Sequence, residues 1–207
     1  QLYEGVPIEG EGQVALVTYI RTDSVRVSED AQKAALDFIR AHYGPDYVPA
    51  RPNVYKTKKN AQDAHEAIRP ISLERTPESI RDKVHRNIYR LYKLIYERFL
   101  SSQMAEATYH TMTVDIEAGA TVFRTNGKTP LFAGYTAVYQ SYKDADAQSE
   151  EDETEAKLPA LSEGEGLDLD KLTKEQKFTK PPARYTDATL VKAMEEKGIG
   201  RPSTYAT

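Results

Sequence analysis

In the stretch "LVTYIRTDS", residues 16–24, a tyrosine, an arginine and an aspartate follow one another at two-residue spacing: Tyr19, Arg21 and Asp23. In an extended backbone alternate side chains share a face. Tyr19 and Arg21 then point the same way, with Asp23 on that side if the extension continues. A phenol beside a guanidinium suits phosphoryl transfer: the tyrosine attacks phosphorus, and the arginine neutralises charge on the equatorial oxygens. A free tyrosine, with a reference pKa of about 10, is only ~0.1% phenolate at pH 7, so a positive neighbour or a metal must help. The same spacing also describes a Tyr–Arg pair stacked inertly at a strand end, and spacing alone favours that plainer reading.

Two further groupings could act on phosphate. In "QDAHEAIRP" the residue four positions after His65 is Arg69, not the second histidine that a helical zinc site requires. His65 as a hydrogen-bond donor and Arg69 as a planar fork could instead both reach a phosphate oxygen. A loop histidine bonded to backbone fits this stretch equally well. In "GIGRPSTY", Arg201, Ser203 and Thr204 lie among glycines at a helix start, where backbone N–H groups and hydroxyls can receive a phosphate. A single junction of this kind is a weak signal.

The elements that must position these residues read as follows. Gly12 to Ile20 is predicted as a strand, with Val14, Leu16, Thr18 and Ile20 facing the core. Before it, "QLYEG" reads as the last turn of a helix closed by Gly5. Ser28 caps a helix whose inner stripe is Ala31, Ala34, Ala35, Phe38 and Ile39, with Glu29 and Asp30 in its first turn. The prolines of "YGPDYVPARPNVY" make that segment irregular. Helix resumes with Thr76 at the N-cap and Pro77 following. A longer helix places Ile88, Leu91, Tyr92, Ile95, Phe99 and Leu100 on one stripe, and Tyr89, Tyr92 and Tyr96 read as packing rather than a base-stacking platform.

After Met104 the apolar period changes to two. "ATYHTMTVDIEAG" is one strand, and the following segment gives two more around a turn at Asn126–Gly127. "EGLDLDKLTKEQKFTKPP" is a further β segment. A last helix is capped near Thr186 and closed by Gly198, and a second one starts at Pro202 or Ser203. The sum is an α+β chain, a helical unit joined to an antiparallel β unit.

Composition narrows the function classes. The 207 residues contain no cysteine, which excludes a disulfide framework or a thiolate zinc site within the chain and fits a reducing compartment. No apolar run reaches the roughly 18 residues of a membrane span, so the sequence points to a soluble, cytoplasmic protein with no membrane partner. The start without methionine and the stop at "GRPSTYAT" read as a piece of a longer protein. The net charge of −4 argues against a nucleic-acid partner until its distribution is examined. Much of the acid sits in "DADAQSEEDETEAK", and residues 141–157 are expected to be a flexible loop. "RPNVYKTKKN" instead gathers Arg51, Lys56, Lys58 and Lys59 around Tyr55, which is a basic patch or simply a solvated loop.

Together, "TYIRTDS", "AHEAIRP" and "KPPARYTDATLVKAMEEKGIGRPSTYA", in that order, resemble the bacterial type IA DNA topoisomerases. "FAGYTAVY" and "YRLYKLIYERFLSSQM" extend the resemblance over nearly the whole chain. The resemblance implies that Tyr19 attacks one DNA strand and becomes linked to its 5′ phosphate, releasing a 3′ hydroxyl before strand passage and religation. It implies that Arg21 contacts the scissile phosphate and His65 lies beside it, with Asp23 near the catalytic interface. Arg69 joins the DNA-binding set, and Arg201, Ser203 and Thr204 match a single-strand-binding segment.

The resemblance also implies an architecture. Residues 1–105 would be a catabolite-activator-like helical domain bearing the tyrosine, and 106–182 an antiparallel β domain of the arch around the DNA hole. Residues 183–207 would begin the next helical DNA-binding domain. The implied cofactor is Mg2+, held by a Toprim domain that no stretch of this chain matches; the acidic run from Asp144 to Glu155 is no substitute. The chain by itself is therefore expected to be inactive. The implied protein is a nucleoid-associated monomer acting on single-stranded segments of DNA. The readings that compete with it are a non-catalytic winged-helix-type DNA-binding module, in which Tyr19 only packs, and an interaction scaffold built around the β unit.

Overall fold

The computed structural model describes residues 1–22, 24–55, 65–139, 158–179, 181–201 and 204–205. By its contacts the chain forms two units, Gln1–Lys157 and Leu158–Thr207. Both helices and antiparallel strand pairs are present, so the α+β expectation holds.

The first unit opens on a turn closed by the Gly5 N–H on the Gln1 carbonyl (2.7 Å), followed by strands β1 (Val6–Ile8) and β2 (Gly12–Val14), paired antiparallel. The predicted strand over 12–20 is therefore much shorter, and β1 was not foreseen. The reason lies in the burial. Leu16 and Val17 are both fully buried although adjacent, while Ile20 is exposed, so the run does not alternate as a strand with one wet face would. Leu16 and Val17 are instead drawn to two partners. Their N–H groups both donate to the Leu2 carbonyl (2.8 and 3.3 Å), and Val17 bridges antiparallel to Pro70.

Helix α1 (Glu29–His42) follows the predicted cap position, with Ala35, Phe38 and Ile39 buried. Ala34, expected on the inner stripe, is exposed. Ser28 has N-cap dihedrals, but its side chain makes no capping hydrogen bond. Helix α2 (Pro77–Ile80) is capped by Thr76 through the Ser79 N–H, with Pro77 in its first turn. Helix α3 (Arg86–Ser102) is capped by the His85 ring nitrogen, which accepts from the Asn87 N–H (3.3 Å). Its buried face carries Tyr92, Tyr96, Phe99 and Leu100, while Leu91, expected on the stripe, is half exposed.

The two buried tyrosines pack as the sequence suggested, and each satisfies its hydroxyl. Tyr92 donates to the Arg75 carbonyl and Tyr96 to the Leu73 carbonyl, both at 2.7 Å. A buried hydroxyl without a partner costs about 1–3 kcal/mol, so these bonds fix the 73–75 segment against α3. The core joins them to Leu2, Val6, Ile8, Leu16, Val17, Phe38, Ile39, Ile80, Leu100 and Met104. The irregular segment after α1 is tied down by Asn53, whose amide donates to the Ser102 and Met104 carbonyls (2.9 and 3.0 Å) and so closes the C-terminus of α3.

Strands β3 (Thr108–Ala118) and β4 (Thr121–Phe132) form one long hairpin. The expected turn at Asn126–Gly127 does not exist: those residues pair with Thr113 and Met112 in mid-strand. The chain reverses instead at Gly119–Ala120, where Gly119 takes φ +64° and Ala120 does not have a positive φ, the sign pattern of a type II′ turn. The Asn126 side chain accepts from the Thr113 hydroxyl across the strands (2.9 Å). At the base, Gly134 (φ +49°) packs so closely that an added Cβ would lie 2.5 Å from the Ala107 nitrogen and the Glu106 carbonyl group. This contact lets the Tyr135 N–H reach the Ala105 carbonyl (2.9 Å), while Phe132 packs on Tyr47 (ring centroids 4.8 Å apart).

In the second unit, residues 158–179 form no strand among the described residues, which corrects the β segment expected at 165–182. Its Leu167 and Leu169 alternate with polar residues, but both are exposed and pair with no strand among the described residues. Helix α4 (Asp187–Glu196) begins with a capping box between Thr186 and Thr189. It ends as predicted at Gly198 (φ +68°). The Gly198 N–H bonds Glu195 and the Ile199 N–H bonds Met194, a Schellman pair. The expected second helix start at Pro202 or Ser203 and the acidic loop at 141–157 lie outside the described residues.

Candidate active site

The site in the first unit is built by two segments far apart in sequence, and Thr18 joins them. Its N–H donates to the Arg69 carbonyl (2.9 Å), and its hydroxyl both donates to the Ala67 carbonyl (2.9 Å) and accepts from the Arg69 N–H (3.0 Å). The Ile71 N–H bonds the Leu16 carbonyl on the next rung (3.0 Å), and the Ala67 N–H bonds the Arg26 carbonyl (2.8 Å). A threonine serves here because one hydroxyl can satisfy a donor and an acceptor at once.

This stitch brings Tyr19 and His65 together. Their rings stack with centroids 5.9 Å apart and planes at 29°. Tyr19 is 52% exposed, and its hydroxyl makes no hydrogen bond among the described residues. A packing tyrosine would bury its ring and bond its hydroxyl, as Tyr92 and Tyr96 do. His65 is half-buried; its Nδ1 is sealed from solvent and has no hydrogen-bond partner among the described residues, which leaves Nε2 as the nitrogen a ligand could meet. Arg21 lies two residues beyond Tyr19 and is half-buried. Asp23 lies outside the described residues.

Arg69, a candidate phosphate fork from the sequence, is held within the loop. Its Nε and Nη2 donate to the same Glu66 oxygen (3.1 and 2.8 Å), and its Nη1 donates to the Pro70 carbonyl (3.1 Å). Burial by itself would raise the Glu66 carboxyl. The Ser28 hydroxyl, the Arg69 fork and the field of Arg26 outweigh it and hold the group below its ordinary value. Glu66 is thereby held as an anion against Arg69 within the loop that carries His65.

The site includes a residue that sequence reasoning did not select. Tyr3 lies edge-on to Tyr19, with ring centroids 5.2 Å apart and planes at 73°. The only sequence signal for it was its place in "QLYEG", read as a helix end. In the second unit, Arg201 and Thr204 form a local turn: the Thr204 hydroxyl accepts from the Arg201 N–H (3.0 Å) and donates to the Arg201 carbonyl (3.1 Å). Ser203 lies outside the described residues.

The described residues contain no group of three or more His, Cys, Asp or Glu side chains placed to hold a metal ion. No helix among them is long and apolar enough to cross a membrane.

Comparison with known proteins gives a consistent result. The family model for DNA topoisomerase matches residues 1–207. The chain is 48% identical over 209 residues to the DNA topoisomerase 1 of two Xylella fastidiosa strains, Temecula1 and 9a5c, covering 100% of this chain and 26% of each relative. It thus spans about a quarter of the length of the curated relatives it matches. It also superposes on full-length topoisomerase I from Thermotoga maritima with a TM-score of 0.78 and 36% identity, covering 100% of this chain and 31% of that one.

Proposed function

The chain belongs to the bacterial DNA topoisomerase family, and from that premise we propose that it carries the nucleophile of a type IA enzyme that relaxes negatively supercoiled DNA. The observation that carries this reading is the half-exposed Tyr19, whose hydroxyl has no partner among the described residues and whose ring is set against His65 by the Thr18 stitch. The Tyr19 oxygen attacks the phosphorus of one strand and forms a 5′-phosphotyrosyl bond, while the 3′ oxygen leaves and takes a proton. After strand passage, the 3′ hydroxyl attacks the same phosphorus and the tyrosine leaves, so no ATP is needed. Arg21 neutralises charge on the non-bridging oxygens, and His65 donates from Nε2 to one of them. Arg69 acts through Glu66 by holding the His65 loop.

The remaining assignments follow the same premise. Residues 1–105 serve as the catabolite-activator-like tyrosine domain, 106–182 as part of the arch, and 183–207 as the start of a domain in which Arg201, Ser203 and Thr204 meet single-stranded DNA. Asp23 supports the catalytic interface. Magnesium belongs to a Toprim domain outside this chain, so the chain alone neither cleaves nor relaxes DNA. The enzyme works as a monomer in the cytoplasm, at the nucleoid. Family membership disfavours the purely non-catalytic winged-helix module.

The test is Tyr19→Phe in the full-length protein. Relaxation of supercoiled plasmid should fall to background while single-strand affinity stays within about twofold, because the ring remains and the nucleophilic oxygen is gone. Relaxation above a trace by this variant would remove Tyr19 from its role.

A further inference from the structure

We propose that Tyr3 is a positioning residue for the Tyr19 nucleophile: its ring edge, with the face of His65, sets the direction in which the Tyr19 oxygen points. The inference rests on the reading of Tyr19 as the nucleophile. A half-exposed tyrosine at the end of a stitched segment has a backbone problem. The hydrogen-bond rungs run through Leu16, Val17 and Thr18, and none is made by the N–H or C=O of Tyr19 or Ile20 among the described residues. The orientation of the ring beyond the last rung then depends on the side chains packed on it.

Among the described residues, the aromatic rings packed on it are those of Tyr3 and His65. The Tyr3 contact, at 5.2 Å and 73°, is an edge-to-face pair within the 4.5–7 Å range such pairs prefer, and His65 lies nearly parallel to the Tyr19 ring at 5.9 Å. A perpendicular edge and a parallel face together oppose rotation about both χ angles of Tyr19.

Tyr3 is itself well placed to act as a fixed stop. Leu2, the preceding residue, is 4% exposed in the core, and its carbonyl accepts from both the Leu16 and Val17 N–H groups. The turn is closed by Gly5 on Gln1. The backbone carrying Tyr3 is thus pinned to the segment that carries Tyr19, two residues before it. Tyr3 does not earn its place as core, since it is 45% exposed, and its hydroxyl has no partner among the described residues. What its side chain does contact is the nucleophile's ring.

The experiment uses the full-length protein with a labelled single-stranded oligonucleotide and magnesium. It measures single-turnover formation of the covalent adduct and, separately, oligonucleotide affinity without magnesium. An edge-to-face pair contributes about 0.5–1.5 kcal/mol, which corresponds to a loss of roughly 2- to 13-fold in the cleavage step. Tyr3→Ala and Tyr3→Leu should both fall in that range with affinity unchanged, and Tyr3→Phe should cleave as wild type because it keeps the edge. The leucine variant keeps apolar bulk, so a loss shared by both variants and rescued by phenylalanine separates ring geometry from folding. Wild-type cleavage by Tyr3→Leu, loss in Tyr3→Phe equal to that in Tyr3→Ala, or a loss fully accounted for by weakened affinity each overturns the positioning role. A wild-type protein that forms no adduct at Tyr19 overturns the nucleophile assignment itself, and this inference with it.

Discussion

Replacing Thr18 by valine isolates the contribution of one oxygen. Valine keeps the volume and the β-branch, so the perturbation falls on hydrogen bonding rather than packing. The hydroxyl serves the Ala67 carbonyl at 2.9 Å and the Arg69 N–H at 3.0 Å, both partly buried. Each such bond contributes about 0.5–1.5 kcal/mol, and a buried partner left alone costs about 1–3 kcal/mol. Thr18 is half-buried, so water can recover part of the loss, and the expected destabilisation is about 1.5–2 kcal/mol. Serine retains the hydroxyl and should lose less than about 1 kcal/mol. Urea unfolding of the chain reads this as a lower midpoint at unchanged slope. In the full-length protein the valine variant should also slow adduct formation, because the rung that registers Tyr19 against His65 has been cut. A valine variant within about 0.5 kcal/mol of wild type that cleaves at the wild-type rate would refute the role of Thr18 as the joint between the two motifs.

The other expectations concern separate parts of the chain. Gly134→Ala forces a Cβ to 2.5 Å from backbone atoms at a positive φ, so it should cost more than about 3 kcal/mol; an unchanged unfolding midpoint would contradict the close approach. Burial pushes the Tyr92 phenol up to about 12 from an ordinary 10.0, despite the opposing field of Arg75. The native state therefore holds this proton more tightly than the unfolded chain, and the stability it supports below pH 10 drains away as pH rises toward 12. Tyr92→Phe should flatten that alkaline decline in a melting series. Arg21→Lys should impair cleavage nearly as much as Arg21→Ala, because lysine keeps the charge but not the planar fork; a lysine variant that cleaves normally would reduce Arg21 to a distant charge.

Signals completed within a few residues are legible in the sequence, and signals that depend on a distant partner are not. Thr76 and Thr186 are N-caps and Gly198 closes α4 because those motifs are satisfied within a few residues. Ser28 shows the limit: its position at the start of α1 is legible, but its side chain makes no cap bond, an outcome that no local rule contains. Asn126–Gly127 is a strong hairpin signal that lost to Gly119, because a glycine flanked by two matched runs of β-branched and aromatic residues allows the longer ladder. The run from Leu16 to Ile20 lost its alternation because Leu2 and Pro70 approach it from two sides. Leu167 and Leu169 have a strand's alternation but no strand partner among the described residues. At the site, the resemblance pointed to Tyr19 and His65, whose rings the fold brings together. Tyr3 escaped because an exposed turn residue carries no periodic signal.

The hairpin base at Gly134 has a mechanical consequence. Strands of this length, at about 3.4 Å per residue, carry the Gly119 turn roughly 35 Å from that base. A rigid arm amplifies whatever play its root allows: about 10° of rotation there would sweep the far end through roughly 6 Å, on the scale of one or two residues of strand. The aim of the tip is therefore decided at the root, by a glycine with no side chain, one Tyr135–Ala105 hydrogen bond and the Tyr47–Phe132 contact. Substitutions along the ladder change the arm's stiffness; substitutions at its root change where it points.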